Sequence, residues 1–234
     1  GTSTVTNNDG SIASQVRAQP SAGFSIVTFT QSGSSGQIPT VGHGLNVAPE
    51  MIWLKSRSNT QDWRVYHSAN GVNKTMSLNG TGAAATVGSP PAWSVGSSTF
   101  GAKNGQIVDS GYTYVAYCFA PVAGYSAMGS YTGNGSADGP FVYTGFKVKF
   151  ILLKQSSASG ERWYIQDVAR DINSNDAALY PNSSDAESSS TAYAIDFLSN
   201  GFKLRNTNGS HNASGGTYIY AAFAEHPFRS SRAR

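Results

Sequence analysis

Apolar and polar residues alternate with a period of two along much of this chain, the pattern of a half-buried β-strand. Phe24–Thr30 is the first long example, rich in β-branched and aromatic residues. Met51–Lys55 is nearly continuous in apolar residues, which predicts a strand buried on both faces. Asp62–His67, Lys74–Leu78 and Thr113–Ala120 follow, and then Ser126–Thr132, Phe141–Thr144, Phe150–Lys154, Arg162–Asp167, Tyr193–Leu198, Phe202–Arg205 and Thr217–Ala224. Turn residues separate these runs roughly every 8–12 positions, which favours an all-β sandwich. A Ser- and Gly-rich loop over Gln31–Gln37, a turn at Gly42–Asn46 and a break at Ser89-Pro90-Pro91 punctuate the first half. Ile12, Ser14 and Val16 alternate ahead of the first long strand, predicting a lead-in strand that pairs with a neighbour or an upstream domain. Ser184-Asp185-Ala186-Glu187 has capping-box spacing and predicts one helical turn.

The strand pattern repeats. Gly23–Thr30 is echoed by Gly124–Thr132, Met51–Lys55 by Phe150–Lys154, Trp63–Tyr66 by Trp163–Gln166, and Thr113–Ala120 by Thr217–Ala224. Four blocks in one order at nearly constant offset point to a tandem duplication, and each copy has the size of a domain. The expected organisation is a lead-in over 1–22, two β-sandwich-like modules over 23–122 and 123–228, and a basic tail over 229–234.

Composition narrows the function classes. Only 12% of the 234 residues are charged, about half the usual share, so Ser, Thr, Asn and Gly must carry the polar surface. The net charge of +3 comes from Arg229, Arg232 and Arg234; without them the balance is 3 − 3 = 0. No broad basic face is expected, hence no nucleic-acid partner, and the three arginines become a candidate docking arm. The single cysteine, Cys118, lies in an apolar run and reads as a buried thiol. No apolar run approaches the ~18 residues of a membrane span. The chain begins at Gly1 rather than Met, as a processed chain or a piece of a longer one would.

Candidate chemistry is sparse. His43, His67, His211 and His226 are scattered, and no Gly-x-Ser-x-Gly elbow accompanies them. His43 and His211 read as loop histidines and are candidate ligand or partner contacts. Acids gather in the second half, and Asp167, Asp171 and Asp196 sit near strand ends, where a glycosidase pair could meet. The plainer reading pairs them with Arg162, Arg170 and Arg205. Asn134, Asp138, Asn175, Asp176 and Asp185 could offer oxygens to calcium, but no Asp-x-Asp-x-Asp-Gly loop exists, so no metal or cofactor is expected. Trp63 and Trp163 recur in both halves and read as core, as does Trp53. Trp93, in the Pro-rich insertion, is the candidate exposed stacking surface.

The stretches Ala22–Thr28, Val41–Leu45 with Ala48-Pro49, Thr113–Ala120, Gly129–Gly135, Asp196–Arg205 and Asn212–Tyr220 together resemble an uncharacterised β-rich domain. It occurs in bacteriophage structural and tail-fibre proteins, commonly of marine phages. The resemblance covers about Ala22 to Phe228. It implies a non-enzymatic virion component, assembled in the bacterial cytoplasm, that belongs to a tail fibre, spike or other appendage and takes part in host attachment. Its partners would be other virion proteins and a host-surface glycan or protein. Edge strands in such modules need cover, so a homo-oligomer is expected, with a trimer as its form. The competing readings are a capsid decoration or head-fibre protein and a polysaccharide depolymerase.

Overall fold

The computed structural model of the protein describes residues 3–170 and 177–224. These divide into two compact units, one of residues 3–78 and 84–121, the other of residues 79–83, 122–170 and 177–224.

In the first unit the strands are β1 (Val5–Asn7), β2 (Ser14–Gln19), β3 (Phe24–Thr30), β4 (Thr40–Gly42), β5 (Met51–Ser56), β6 (Arg64–His67), β7 (Lys74–Ser77), β8 (Ala85–Thr86), β9 (Trp93–Val95), β10 (Thr99–Ala102) and β11 (Thr113–Phe119). Eight form one antiparallel sheet in the order β1-β2-β3-β11-β5-β6-β7-β8; the other three form a small sheet, β4-β10-β9. The chain's alternation decides which side chains enter the core. Val27 and Phe29 of β3, Ile52 and Leu54 of β5, and Tyr114, Ala116 and Cys118 of β11 point inward from the large sheet. Val41, Phe100, Ala102 and Trp93 meet them from the small one. Phe29 stacks on Tyr114 at 5.7 Å and meets Phe100 edge-on at 6.1 Å. Burial pushes the Cys118 thiol up to about 12, so it stays a neutral, apolar filler.

The lead-in pairs with the chain's own β3. A 3₁₀ turn, Pro20–Ala22, ends in Gly23 at φ 63°, a left-handed conformation that costs glycine little, and turns β2 back onto β3. Arg17 then pairs with Ile26, and Val16 is buried with the core. Residues just before and at the start of β2 also close the edge of β4, where Ile12 N–H donates to Thr40 O at 3.0 Å and Ser14 Oγ to Gly42 O at 3.0 Å. Gly42, expected in a turn, is the end of β4.

The second unit contains β12 (Ser126–Thr132), β13 (Phe141–Tyr143), β14 (Val148–Gln155), β15 (Trp163–Asp167), β16 (Ala177–Ala178), β17 (Ser188–Ser189), β18 (Ile195–Leu198), β19 (Gly201–Leu204), a single α-turn, α1 (Gly209–Asn212), and β20 (Thr217–Ala224). Its sheets run β12-β20-β14-β15 and β13-β19-β18, with β16-β17 as a third pair. The core repeats the aromatic arrangement of the first unit: Tyr131 stacks on Tyr218 at 5.0 Å and meets Phe202 edge-on at 6.0 Å. Asn79–Ala83 joins this unit, with Thr81 O accepting from Gly160 N–H at 3.0 Å and Ala83 N–H donating to Ser159 Oγ at 3.1 Å.

The helical turn expected at Ser184–Glu187 is absent. Its would-be capping carboxylate is drawn away, because Glu187 pairs with Arg170 at 2.6 Å and Asp185 with Arg162. The helical turn lies instead at α1, where Asn208 Oδ1 caps Ser210 N–H at 2.9 Å. No helix among the described residues is long and apolar enough to cross a membrane.

Candidate functional site

The three expected contact residues lie inside. Trp93 is 1% exposed, so the stacking surface expected there is corrected to a core side chain. The Pro-rich segment folds inward because Ala92 and Trp93 N–H groups both bond Val72 O, at 2.9 and 3.0 Å, and the indole then packs on Tyr66 at 5.8 Å. His43 is fully buried as well. Its Nδ1 accepts from Leu45 N–H at 3.2 Å, which leaves the proton on Nε2 to donate to Gly96 O at 3.1 Å. Burial, against the Gly96 bond and Asp9, lowers its pKa, and the neutral ring ties β4 to the turn before β10.

His211 is fully buried on α1 between the rings of Tyr164 and Tyr193, at 4.5 and 5.2 Å. Its Nδ1 lies 2.7 Å from Ser210 Oγ and its Nε2 3.3 Å from Gln166 Oε1. Gln166 Nε2 donates to Tyr193 O, so its oxygen faces the ring and accepts from a neutral imidazole protonated on Nε2. Burial pulls the His211 pKa down to about 3. None of the three offers a surface to a ligand. Arg229, Arg232 and Arg234, with Asp171, Asn175, Asp176 and His226, lie outside the described residues.

The candidate acids within the described residues, Asp167 and Asp196, are held by arginines. Asp167 Oδ2 accepts from Arg170 Nε at 2.6 Å, and Ala169 and Arg170 N–H groups cap its Oδ1. Burial raises its carboxyl, but the Arg170 bond and these N–H groups together hold it below the usual range. Among the described residues no group of three or more His, Cys, Asp or Glu is placed to hold a metal.

The surface that stands out is the outer face of the small sheet in the second unit. Register assigns it without ambiguity. Phe141 on β13 pairs with Lys203 on β19, which pairs with Asp196 on β18; Tyr143, Gly201 and Leu198 form the next row. Val142, Phe202, Leu204 and Ile195 take the opposite face and enter the core. Phe141 is therefore 45% exposed and Tyr143 68%, with Leu198 two strands away. A Cβ at Gly201 would run into the Val142 carbonyl oxygen and lie 3.1 Å from the Phe141 ring, so only glycine fits there. Gly201 is itself buried, its place on this face covered by the Phe141 ring.

An ionic ladder borders these aromatics. Asp138 Oδ1 accepts from Lys203 Nζ at 2.8 Å and Arg205 Nη1 at 3.3 Å, while Arg205 Nε bonds Asp196 Oδ2 at 2.5 Å. The Lys203 bond and charge hold the Asp138 carboxyl below its ordinary pKa. The loop carrying Asp138 is fixed from beneath by Asn212, a fully buried side chain. Its Nδ2 donates to Asn206 O and Ser136 O, both at 2.7 Å, and its Oδ1 accepts from Asn134 N–H at 2.8 Å. Asn134 and Asp138, weighed as calcium ligands, thus build a hydrogen-bonded loop. Flat apolar rings beside fixed donors and acceptors can hold a ligand that has both apolar and hydroxylated faces.

The sequence reading placed a strand at Phe141 but passed over its aromatics. The signal was present: Phe-Val-Tyr between Gly139-Pro140 and Gly145 is a three-residue strand in which either the valine or the aromatics must face out.

A family model described as a domain of unknown function, DUF7483, matches residues 1–227, a span that takes in both units. No curated protein and no solved structure matches the chain.

Proposed function

The chain belongs to this family of domains of unknown function, and on that premise we propose that it is a non-enzymatic appendage protein of a bacteriophage particle. Its second unit contacts a host-surface glycan through the outer face of β13-β19-β18. The observation that carries this reading is the pair Phe141 and Tyr143, exposed on a rigid strand beside the Asp138–Lys203–Arg205–Asp196 ladder. Exposed aromatics in register are costly to leave against water unless something covers them in use. The surrounding charges are mutually neutralised, which suits recognition of hydroxyl groups better than acid–base chemistry.

We also read the two units as sandwich-like copies of one module. Strand order supports this, since β3-β11-β5-β6 recurs as β12-β20-β14-β15 and β4-β10-β9 as β13-β19-β18. So does a shared tyrosine bond: Tyr114 OH accepts Asp109 N–H at 2.8 Å, and Tyr218 OH accepts Ala213 N–H at 2.7 Å, each five residues upstream.

The test is binding of the purified chain to host envelope polysaccharide. Taking a ring contact as about 1 kcal/mol, Tyr143→Ala should weaken binding roughly five-fold, and the Phe141→Ala, Tyr143→Ala double variant roughly thirty-fold, with thermal stability monitored alongside. Unchanged binding in the double variant would remove this face from the reading. Binding to capsids and not to envelopes would favour a decoration protein. Saccharide release that is lost in Asp167→Asn or Asp196→Asn would make it a depolymerase.

A further inference from the structure

We propose that β12 pairs edge to edge with β12 of a second copy of this chain, about a two-fold axis at Ser130, joining two four-stranded sheets into one. The proposal rests on which backbone groups of β12 are spent. Gly133 N–H donates to Gly216 O and Ala224 N–H to Tyr125 O, so the odd-numbered positions of this stretch bond β20. The even-numbered positions face the other way. Ser126 closes a bridge to Val122 there, at 2.9 and 3.2 Å. The N–H and C=O groups of Met128, Ser130 and Thr132 have no hydrogen-bond partner among the described residues, and Ser130 and Thr132 are exposed.

The corresponding edge of the first unit is closed. Thr30 pairs with Thr113 as Thr132 pairs with Thr217, which matches Ile26 to Met128 and Thr28 to Ser130. Ile26 and Thr28 are covered by Arg17 and Gln15 of β2. The chain thus covers this edge once with its own residues and leaves its counterpart open. The lead-in is already engaged on β3, so it is not the free occupant.

Open edges that must stay single are normally protected by lysine, proline or a bulge. β12 has none of these: its seven residues, Ser-Ala-Met-Gly-Ser-Tyr-Thr, are uncharged and pair with β20 in unbroken register. Its outward groups are also self-complementary. Antiparallel pairing about Ser130 sets Met128 opposite the partner's Thr132 and Ser130 opposite the partner's Ser130, and uses each of the unspent groups. An isologous contact of this kind closes at two subunits and does not propagate.

The experiment combines sedimentation analysis of the full chain with disulfide trapping. Ser130→Cys places two thiols across the axis, at the ~5.5 Å Cα separation of a hydrogen-bonded antiparallel pair, which a disulfide spans. The expected result is a dimer that Ser130→Cys locks covalently under mild oxidation, while Thr28→Cys, at the covered counterpart, does not. Ser130→Pro removes an outward N–H without touching the β20 ladder and should shift the species to monomer. Ser130→Lys, which keeps the backbone donor, should do the same by charge repulsion. A monomer at all concentrations, a trimer, or a dimer that survives both substitutions without trapping at 130 would each overturn the pairing.

Discussion

Acidification from pH 7 to pH 4.5 is expected to cost the second unit about 3 kcal/mol through His211 alone. The ring is fully buried and neutral, with a pKa near 3 in the folded unit against 6.5 when unfolded. Between those values the unfolded chain binds the extra proton, so the stabilisation is complete above about pH 6.5 and is lost as the pH falls toward 3. The whole interval, at ~1.4 kcal/mol per pH unit, amounts to about 5 kcal/mol, comparable with the total stability of a small domain. The groups facing His211 are Tyr164, Tyr193, Ser210 and Gln166, none of which ionises in this range. Asp167 has a lowered pKa, so its loss begins only below the ordinary carboxylate value of 3.8. His43 shares the direction of His211, but in the first unit. Urea unfolding at pH 7 and 4.5 checks this. His211→Gln should start from lower stability yet lose markedly less on acidification, and an equal loss in both proteins would show that the ring titrates freely.

Trp93→Ala is expected to destabilise the first unit by about 3–5 kcal/mol, the range for emptying a large aromatic site in a packed core. Were Trp93 a surface platform, the same change would stay within ~0.5 kcal/mol. The indole is enclosed by Tyr66 and pairs across the small sheet with Ala102. Its Nε1 is buried without a hydrogen-bond partner among the described residues. A stranded donor costs about 1–3 kcal/mol, so Trp93→Phe, which removes both the donor and one ring, should lose far less than Trp93→Ala. The urea midpoint separates the two variants. Equal losses would mean that the ring kept in Trp93→Phe restores none of the packing, which a core site of this kind does not allow.

Trp93 and Phe141 mark the limits of reading this chain as a string. Both lie in short strands beside proline: the tryptophan expected at the surface is core, and aromatics that drew no expectation are exposed. A strand of three residues has too few alternations to say which face is apolar. The small sheet of the first unit escaped notice for the same reason, since β4 and β10 each bury one large residue, Val41 and Phe100, between glycines and threonines. In long strands the same rule works. Phe24–Thr30, Ser126–Thr132 and Thr217–Ala224 begin and end where their patterns do.

The alternation of side chains therefore determined, without help from the fold, that this is a β protein, where its long strands run, and that Cys118 is buried in an apolar run. These are properties of local geometry, because successive residues of a strand must point to opposite sides. Tertiary structure alone decided which side is the core. It turned the lead-in back onto β3, enclosed His43, His211 and Trp93, exposed Phe141 and Tyr143, and left β12 with one unpaired edge. Those outcomes depend on which sheet comes to lie against which, and on where each backbone hydrogen bond finds its partner, and neither is written in the period of the sequence.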